Sequence, residues 1–283
     1  MCRHGGAALH TVKINRVMHA ALFLMPPLAD LPVWAYPLLF AVAFIAGTVD
    51  AVAGGGGLIT LPVLLSLGLP VPMAFATNKL QAVFGSGSAA WNFARQGAVD
   101  FRECRLGFAL TALGALAGAY TVRVLDPQFL GAIVPWLLAA IVLYMIFRPQ
   151  LGETSQHHRT ERPAFYTIFG LGLGFYDGFF GPGVGSFWIM VFVTVLGHDL
   201  VRASAHARVM NFASNLAALL FFAAAGKVAW LPGLVMGAGQ VIGGRLGSHL
   251  AIHRGARFIR PAFLLMASLM TLKLIYASRT HIP

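Results

Sequence analysis

Residues 46–100 form a pattern that the second half of the chain repeats: AGTVDAVAGGGGLITLPVLLSLGLPVPMAFATNKLQAVFGSGSAAWNFARQGAVD. An apolar run contains one carboxylate, Asp50, and is interrupted by four glycines, Gly54–Gly57. A short apolar segment follows, turns at two prolines, and enters a second apolar run whose first polar residues include Lys79. Glycine and proline commonly end regular backbone structure. The stretch therefore predicts helical segments on either side of a glycine break, with a charged residue near each.

The same arrangement returns as GFYDGFFGPGVGSFW from residue 174 and ASAHARVMNFASN from residue 203. An offset of 127 residues aligns Asp50 with Asp177 and places the two glycine breaks at matching positions. An offset of 129 residues aligns Lys79 with Arg208. The chain is therefore predicted to be an internal duplication in which each copy places a carboxylate and a cation beside a glycine break.

Composition is typical of a membrane protein. Of the 283 residues, 58% are hydrophobic and only 10% are charged, whereas an ordinary globular protein has about 25% charged residues. Several uncharged runs reach the length of roughly 20 residues that a helix needs to cross a bilayer. We predict an all-α integral membrane protein made of two four-span repeats.

The apolar runs define eight predicted crossings and two shorter segments. The crossings are residues 34–52, 73–94, 106–122, 129–147, 164–180, 205–225, 230–251 and 260–277. The half-length segments, 58–67 and 186–196, each follow a glycine break and are predicted to be re-entrant. An even number of crossings in each copy predicts parallel rather than inverted repeats.

The predicted organisation has four parts. They are an N-terminal extension over 1–33, a first transmembrane repeat over 34–147, a polar linker over 148–163 and a second transmembrane repeat over 164–283. The extension lacks a clear cleavage site, so a cytosolic tail, or a true start at Met18 or Met25, is favoured over a signal peptide.

The net charge of +11 does not indicate a nucleic-acid-binding protein. Most cations lie in short connections such as 95–105 and 148–162, as the positive-inside rule predicts for cytoplasmic loops. No face combines basic residues with base-stacking aromatic residues. Cys2 and Cys104 offer neither a metal-binding spacing nor a disulfide framework. No cofactor and no metal site is predicted.

The paired glycine breaks are the strongest indication of a binding site. Irregular backbone at membrane depth is tolerated where protein buries it or where it lines a water-filled cavity. Such breaks direct the amino termini of half-helices toward the cavity, and these termini attract anions. Matching breaks in two copies therefore predict one central site for an anion.

Charged residues inside apolar runs support this hypothesis, because each costs about 2.5–3.5 kcal/mol to insert at the bilayer centre. An alternative is purely structural: Asp50 would pair with Lys79, and Asp177 with Arg208, within each copy. Both roles are compatible if a substrate displaces a carboxylate from its cation.

A polar helix face extends the predicted site. Arg208, Asn211 and Asn215 follow helical spacing, and His206 precedes them. The first copy provides Thr77, Asn78 and Gln81 around Lys79. This excess of hydrogen-bond donors suits a small oxyanion, and His206 is a candidate proton carrier because its ordinary pKa is near neutral.

Two further glycine pairs have a different predicted role. Gly114 and Gly118 in the first copy match Gly243 and Gly247 in the second. Small residues at this spacing let two helices approach closely. We predict packing faces there, with no chemistry.

From the motifs DAVAGGGGLITLP with ATNKLQ, and GFYDGFFGPGVGSF with AHARVMN, the chain resembles the TauE/SafE family of sulfite exporters. It is most similar to the YfcA-type branch of membrane transporters, and the resemblance covers residues 32–277. It implies a multi-pass transporter of the bacterial inner membrane, built of duplicated four-span units and associated with sulfur-containing anions. In that branch a lysine usually stands at the position of Arg208, which keeps the charge but changes the geometry.

The family pattern corresponds to residues in both copies. They are Asp50, Gly54, Gly55, Gly56, Gly57, Thr77, Asn78, Lys79 and Gln81 in the first, and Asp177, Gly181, Pro182, Gly183, His206, Arg208, Asn211 and Asn215 in the second.

The function expected from these features is secondary transport of a small anion, such as a sulfur oxyanion or an organosulfonate, bound between the two repeats. The expected partners are the lipid bilayer, the anion and a coupling proton. The alternative is a membrane protein that does not transport, either an intramembrane enzyme or a scaffold with structural ion pairs. An enzyme is disfavoured because the sequence has no HExxH, no GxSxG and no paired carboxylates within one span.

Overall fold

The computed structural model describes residues 31–125 and 162–254. These residues form helices joined by short connections, with no strand among them. The first copy contains α1 (Ala35–Ala53), α2 (Gly56–Ser66), α3 (Val71–Arg95) and α4 (Arg105–Val124). The second contains α5 (Arg162–Phe165), a π-helical turn (Tyr166–Gly170), α6 (Leu171–Phe179), α7 (Val184–Thr194), α8 (Leu200–Ala224) and α9 (Trp230–Arg254).

The all-α prediction is confirmed for this part of the chain. Six of the eight predicted crossings and both half-length segments coincide with helices to within a few residues. Three helices, α1, α4 and α8, are long and apolar enough to span a membrane by themselves. The crossings predicted at 129–147 and 260–277, the linker up to residue 161 and the extension up to residue 30 lie outside the described residues.

Each glycine break separates a longer helical segment from a short apolar helix. Gly54 ends α1 with φ +84°, and α2 begins two residues later. In the second copy Gly181 and Gly183 adopt φ +94° and +82° before α7. Residues other than glycine rarely adopt this left-handed backbone conformation. The glycines therefore let the chain end one helix and start the next within two to four residues.

The two predicted copies are interleaved. Helix α1 packs along α9 of the other copy, and α4 packs in the same way along α6 and the π-helical turn. Helices α3 and α8 pack against each other in the middle, where α3 also contacts α9 and α8 also contacts α4. The helix pairs named here correspond to one another under the predicted repeat.

The predicted glycine faces make these contacts between copies. Gly243 and Gly247 lie directly against the backbone of α1 at Phe44 and Thr48. On the other side, Gly114 and Gly118 lie against the backbone of α6. A Cβ atom at any of these four glycines would overlap a carbonyl oxygen of the neighbouring helix. The prediction that these pairs are packing faces is therefore confirmed.

Apolar residues are buried in two clusters, one around α2 and α3 and one around α7 and α8. Between them, the central parts of α3 and α8 bury polar and charged side chains that include Lys79 and Arg208. This polar layer is the region where the glycine breaks lie.

Candidate anion site at the junction of the two breaks

The two glycine breaks touch each other. The backbone at Gly54 lies against Gly185 and Ser186 so closely that a Cβ atom there would overlap both. A Cβ atom built on Gly57 would lie 3.2 Å from the Cα atom of Pro182. The Ser186 hydroxyl donates a hydrogen bond of 2.5 Å to the carbonyl oxygen of Ala53. The breaks of the two copies therefore form one junction.

Ion pairs at this junction connect the two copies. Lys79 Nζ lies 2.5 Å from Asp177 Oδ1, and Arg208 Nη1 lies 2.6 Å from Asp50 Oδ2. The alternative of pairs within each copy, Asp50 with Lys79 and Asp177 with Arg208, is wrong. Each cation therefore meets the carboxylate of the opposite copy.

The Lys79–Asp177 pair is enclosed and has further hydrogen-bond partners. The two side chains are 3% and 2% exposed. Lys79 also donates to Asn215 Oδ1 at 3.1 Å, and Asp177 Oδ2 accepts a hydrogen bond from the Ser214 hydroxyl. Both carboxylate oxygens and the ammonium group therefore have protein partners.

The Arg208–Asp50 pair has a different environment. Asp50 Oδ1 accepts a hydrogen bond of 3.0 Å from the backbone N–H of Gly56, at the amino terminus of α2. The Asp50 side chain is 21% exposed, whereas Arg208 is completely buried. Within the described residues, Arg208 Nε and Nη2 have no hydrogen-bond partner. One carboxylate thus caps a half-helix and neutralises a guanidinium that still has unpaired N–H groups.

A cavity of about 30 Å³ lies at the junction. Its lining includes twelve of the sixteen predicted substrate-binding residues. These twelve are Asp50, Gly54, Gly56, Gly57, Asn78, Lys79, Gln81, Asp177, Gly181, Gly183, Asn211 and Asn215. A water molecule needs about 10–15 Å³ on this measure, so the cavity in this conformation has room for water but not for a polyatomic anion.

Four predicted residues do not line the cavity. Arg208 lies behind Asp50, and Gly55 is the residue before the first turn of α2. Thr77 accepts a hydrogen bond of 3.1 Å from the backbone N–H of Ala229. The His206 ring makes a hydrogen bond of 2.8 Å to the carbonyl oxygen of Arg202 and packs against aromatic rings, so it does not share the cavity.

Further polar residues near the junction were not predicted, among them Gln240, Thr60 and Ser214. Gln240 of α9 lines the cavity, and its side-chain oxygen occupies the space left by Gly47 and Gly85. Thr60 of α2 donates a hydrogen bond of 2.6 Å to Asn78 Oδ1. Ser214, the donor to Asp177, lies one residue before Asn215. Ser214 could have been found from its place on the polar face, whereas Gln240 required knowledge of which helices pack together.

No metal centre is formed by the described residues, since no group of three or more His, Cys, Asp or Glu side chains comes together there. The donor set at the junction consists of an ammonium, a guanidinium, amides and backbone N–H groups. Such a set binds anions through charge-assisted hydrogen bonds.

The family model "Sulfite exporter TauE/SafE" matches residues 39–274, which covers both breaks and all four charged residues of the junction. The chain belongs to the TauE/SafE family. The predicted family resemblance is thus confirmed, and with it the class of membrane transporters.

Relatives in several bacteria are similar over nearly their whole length. The chain is 42% identical over 258 residues, 91% of its own length and 94% of the relative's, to "Probable membrane transporter protein YfcA" of Escherichia coli K12. It is 42% identical over 251 residues, 87% of the chain and 97% of the relative, to a "Probable membrane transporter protein" of Haemophilus influenzae. A more distant relative, "Probable membrane transporter protein YunE" of Bacillus subtilis, is 23% identical over 78% of the chain and 89% of the relative. No solved structure matches the chain.

Proposed function

We propose that this TauE/SafE member is a secondary transporter of a small anion, and that the anion binds at the junction of the two glycine breaks. The observation that carries the proposal is the convergence of two buried cations, one from each copy, on a junction of two half-helices. A buried cation is costly at membrane depth and calls for a function or a partner. Here each cation has one carboxylate partner, and Arg208 retains further unpaired donors.

The backbone at the junction favours an anion in two ways. Helices α2 and α7 both begin there, and the amino terminus of a helix carries partial positive charge and free N–H groups. The glycines at the start of these helices have no side chain of their own, which allows a ligand that replaces Asp50 to approach the backbone closely. Lys79, Asn211 and Asn215 add side-chain donors at the cavity wall.

A sulfur oxyanion or an organosulfonate fits this arrangement. Its several acceptor oxygens can receive hydrogen bonds from different directions at once. The family is named for sulfite export, which supports the same class of substrate. We propose the bacterial inner membrane as the location, since the relatives named as membrane transporters are bacterial.

The substrate requires the junction to open. The cavity of about 30 Å³ is too small for an oxyanion, and the two half-helices touch at Gly57 and Pro182. Separation of α2 from α7 would enlarge the cavity and connect it with one side of the membrane. The sequence contains no nucleotide-binding P-loop, so the energy for this movement comes from a gradient or from a partner protein.

The test is uptake of labelled sulfite, methanesulfonate and acetate by proteoliposomes that contain the purified full-length protein. We expect uptake of at least one sulfur anion above protein-free liposomes. Arg208→Gln should reduce it by at least about tenfold, because a charge-assisted hydrogen bond contributes about 1.5–3 kcal/mol. Arg202→Gln, which changes an exposed arginine of the same helix, should transport like the wild type.

Two results would contradict the proposal. One is uptake of none of the three anions by folded wild-type protein. The other is equal uptake by the wild type and Arg208→Gln, which would leave the Arg208–Asp50 pair with a structural role alone.

A further inference from the structure

The two ion pairs of the junction are equivalent by the internal repeat but not by their surroundings. Lys79 and Asp177 are both almost completely buried, and every oxygen of the carboxylate has a protein donor. Asp50 is the exposed member of the other pair, with 21% of its side chain accessible and its carboxylate at the cavity wall. If one of the two carboxylates responds to a ligand that enters the cavity, the geometry favours Asp50.

Arg208 has unused binding capacity behind Asp50. A guanidinium has five N–H donors, and within the described residues Nε and Nη2 are buried with no partner. Buried N–H groups without a partner are rare and destabilising. Nη2 lies beside Gly185, at the amino terminus of α7. An anion with several oxygens could accept hydrogen bonds from these N–H groups, which the Asp50 carboxylate leaves unpaired.

Asp50 itself is bound as an anionic ligand would be. Its carboxylate bridges the guanidinium of Arg208 and the N–H of Gly56, at the start of a half-helix. Helix amino termini and arginine are the usual partners of bound oxyanions in proteins. The carboxylate therefore occupies the position that suits the oxyanion of a substrate.

Charge balance decides what must accompany the substrate. Four charged groups meet at the junction: Arg208 from α8 and Lys79 from α3, with Asp50 from α1 and Asp177 from α6. Their formal charges cancel. A monovalent anion added to this set would leave one uncompensated negative charge in a buried site, which is strongly unfavourable.

We propose that a monovalent anion binds Arg208 in place of Asp50, and that Asp50 takes up one proton from water as the anion enters. This inference rests on the proposed function and deepens it. The ion pair between Arg208 and Asp50 is exchanged for one between Arg208 and the anion, while the Asp50 carboxylate becomes a neutral carboxylic acid. One anion and one proton are bound together, so the junction stays neutral.

The other titratable groups are less suited to this role. Both carboxylates have a donor on each oxygen, but the Asp177 side chain is only 2% exposed, whereas that of Asp50 is 21% exposed. His206 is hydrogen-bonded to the carbonyl oxygen of Arg202 and does not line the cavity. Among the described residues of the cavity wall, Asp50 is the carboxylate with both exposure and an exchangeable partner.

Binding of methanesulfonate to the purified full-length protein, measured by calorimetry over a range of pH, tests the inference. Methanesulfonate stays monovalent at neutral and mildly acidic pH, so a change in affinity reports on the protein. We expect the dissociation constant of the wild type to rise by about tenfold per pH unit where free Asp50 is ionised. Asp50→Asn should bind with an affinity that is independent of pH, and more tightly than the wild type at the alkaline end.

The matched control is His206→Gln, which removes the other titratable candidate, a side chain that does not line the cavity. It should keep the pH dependence of the wild type. The inference is overturned if wild-type binding does not change with pH, or if His206→Gln abolishes the dependence and Asp50→Asn does not. Absence of binding to methanesulfonate and to sulfite by the wild type would instead contradict the proposed function.

The charge balance of the proposed exchange also predicts how transport in proteoliposomes is driven. Co-transport of one monovalent anion with one proton moves no net charge. Uptake of methanesulfonate should therefore follow an imposed pH gradient and not respond to a membrane potential set with potassium and valinomycin. A response to the potential in the absence of a pH gradient contradicts proton compensation.

Discussion

The four charged residues of the junction illustrate what a sequence reveals about single residues. Asp50, Lys79, Asp177 and Arg208 stand out because charges within apolar runs are costly. Their pairing could not be inferred in the same way. Residues close in sequence were expected to pair, but partner choice depends on how the helices of both copies pack together, and each cation meets the carboxylate of the other copy.

The pairing between copies predicts which second substitution rescues a lost charge. Lys79→Gln leaves Asp177 buried without its cation, and breaking a buried pair in this way costs about 3–5 kcal/mol. We expect much less folded protein, measured by size-exclusion chromatography of fluorescent fusions. Adding Asp177→Asn should restore it, whereas adding Asp50→Asn should not. Rescue by Asp50→Asn would contradict the observed pairing.

The glycine at the end of α1 has two separate constraints. Gly54 adopts φ +84° and touches the backbone of Gly185. Gly54→Ala should therefore be strongly destabilising, because left-handed backbone costs about 1–2 kcal/mol for alanine and the Cβ atom overlaps the other break. Gly68→Ala is the matched control, since Gly68 has φ +85° but no atom within 4 Å of its Cβ position. Thermal unfolding in detergent should show a clearly larger loss for Gly54→Ala; equal losses would contradict the close contact.

At the level of helices, the sequence predicted most of the described elements. The signal for these helices was an apolar run bounded by charged residues, proline or glycine. Burial in lipid or in the protein core requires such runs. The π-helical turn at Tyr166–Gly170 was not predicted. This turn packs against α4, and the sequence has no signal that predicts it.

Helix α6 provides a direct test of the packing faces. A Cβ atom on Gly178 would overlap the carbonyl oxygen of Ala115 in α4, whereas one on Gly172 would meet no atom within 4 Å. Gly178→Ala should destabilise the protein by separating α6 from α4. Gly172→Ala should be neutral or stabilising by about 0.5–1 kcal/mol, as expected for glycine replaced within a helix. Both can be compared by thermal unfolding, and equal behaviour would contradict the contact.

The connection between α7 and α8 predicts a dependence of stability on pH. Burial lowers the pKa of His198 from 6.5 to about 4, with further lowering by His206 and by the arginines Arg202 and Arg162, against a smaller opposite effect of Asp199. Between pH 4 and pH 6.5, His198 binds more protons in the unfolded protein than in the folded protein. Stability from this group is therefore complete above pH 6.5 and is lost as the pH falls toward 4.

Thermal unfolding midpoints at neutral and mildly acidic pH measure this effect. His198→Phe is the informative variant, because a phenyl ring can keep the stacking on Phe192 without titrating. Its midpoint should fall less than that of the wild type on acidification. An equal fall in both proteins would show that other groups cause the acid sensitivity.

At the scale of the whole molecule, the sequence predicted a duplication but not the way its copies combine. Two four-span bundles were expected to meet at their glycine breaks. The breaks do meet, but α1 packs on α9 and α4 packs on α6, so that each copy contributes to both sides of the molecule. An alignment of the two copies shows which positions are equivalent. It does not show whether the helix that packs against a given helix comes from the same copy or from the other one. For the same reason Gln240, which reaches the cavity from α9, was not predicted.

The central claim is that transport requires the two half-helices to separate at this junction, and a reversible cross-link tests it most directly. A Cβ atom on Gly57 would lie 3.6 Å from the Cβ atom of Pro182, within the range of about 3.5–4.5 Å found in disulfides. The experiment compares uptake of labelled sulfite by Gly57→Cys/Pro182→Cys, before and after oxidation, with uptake by each single variant, all in a background lacking Cys2 and Cys104. We predict that oxidation abolishes uptake by the double variant alone and that reduction restores it. Undiminished uptake by the fully cross-linked protein would contradict the account.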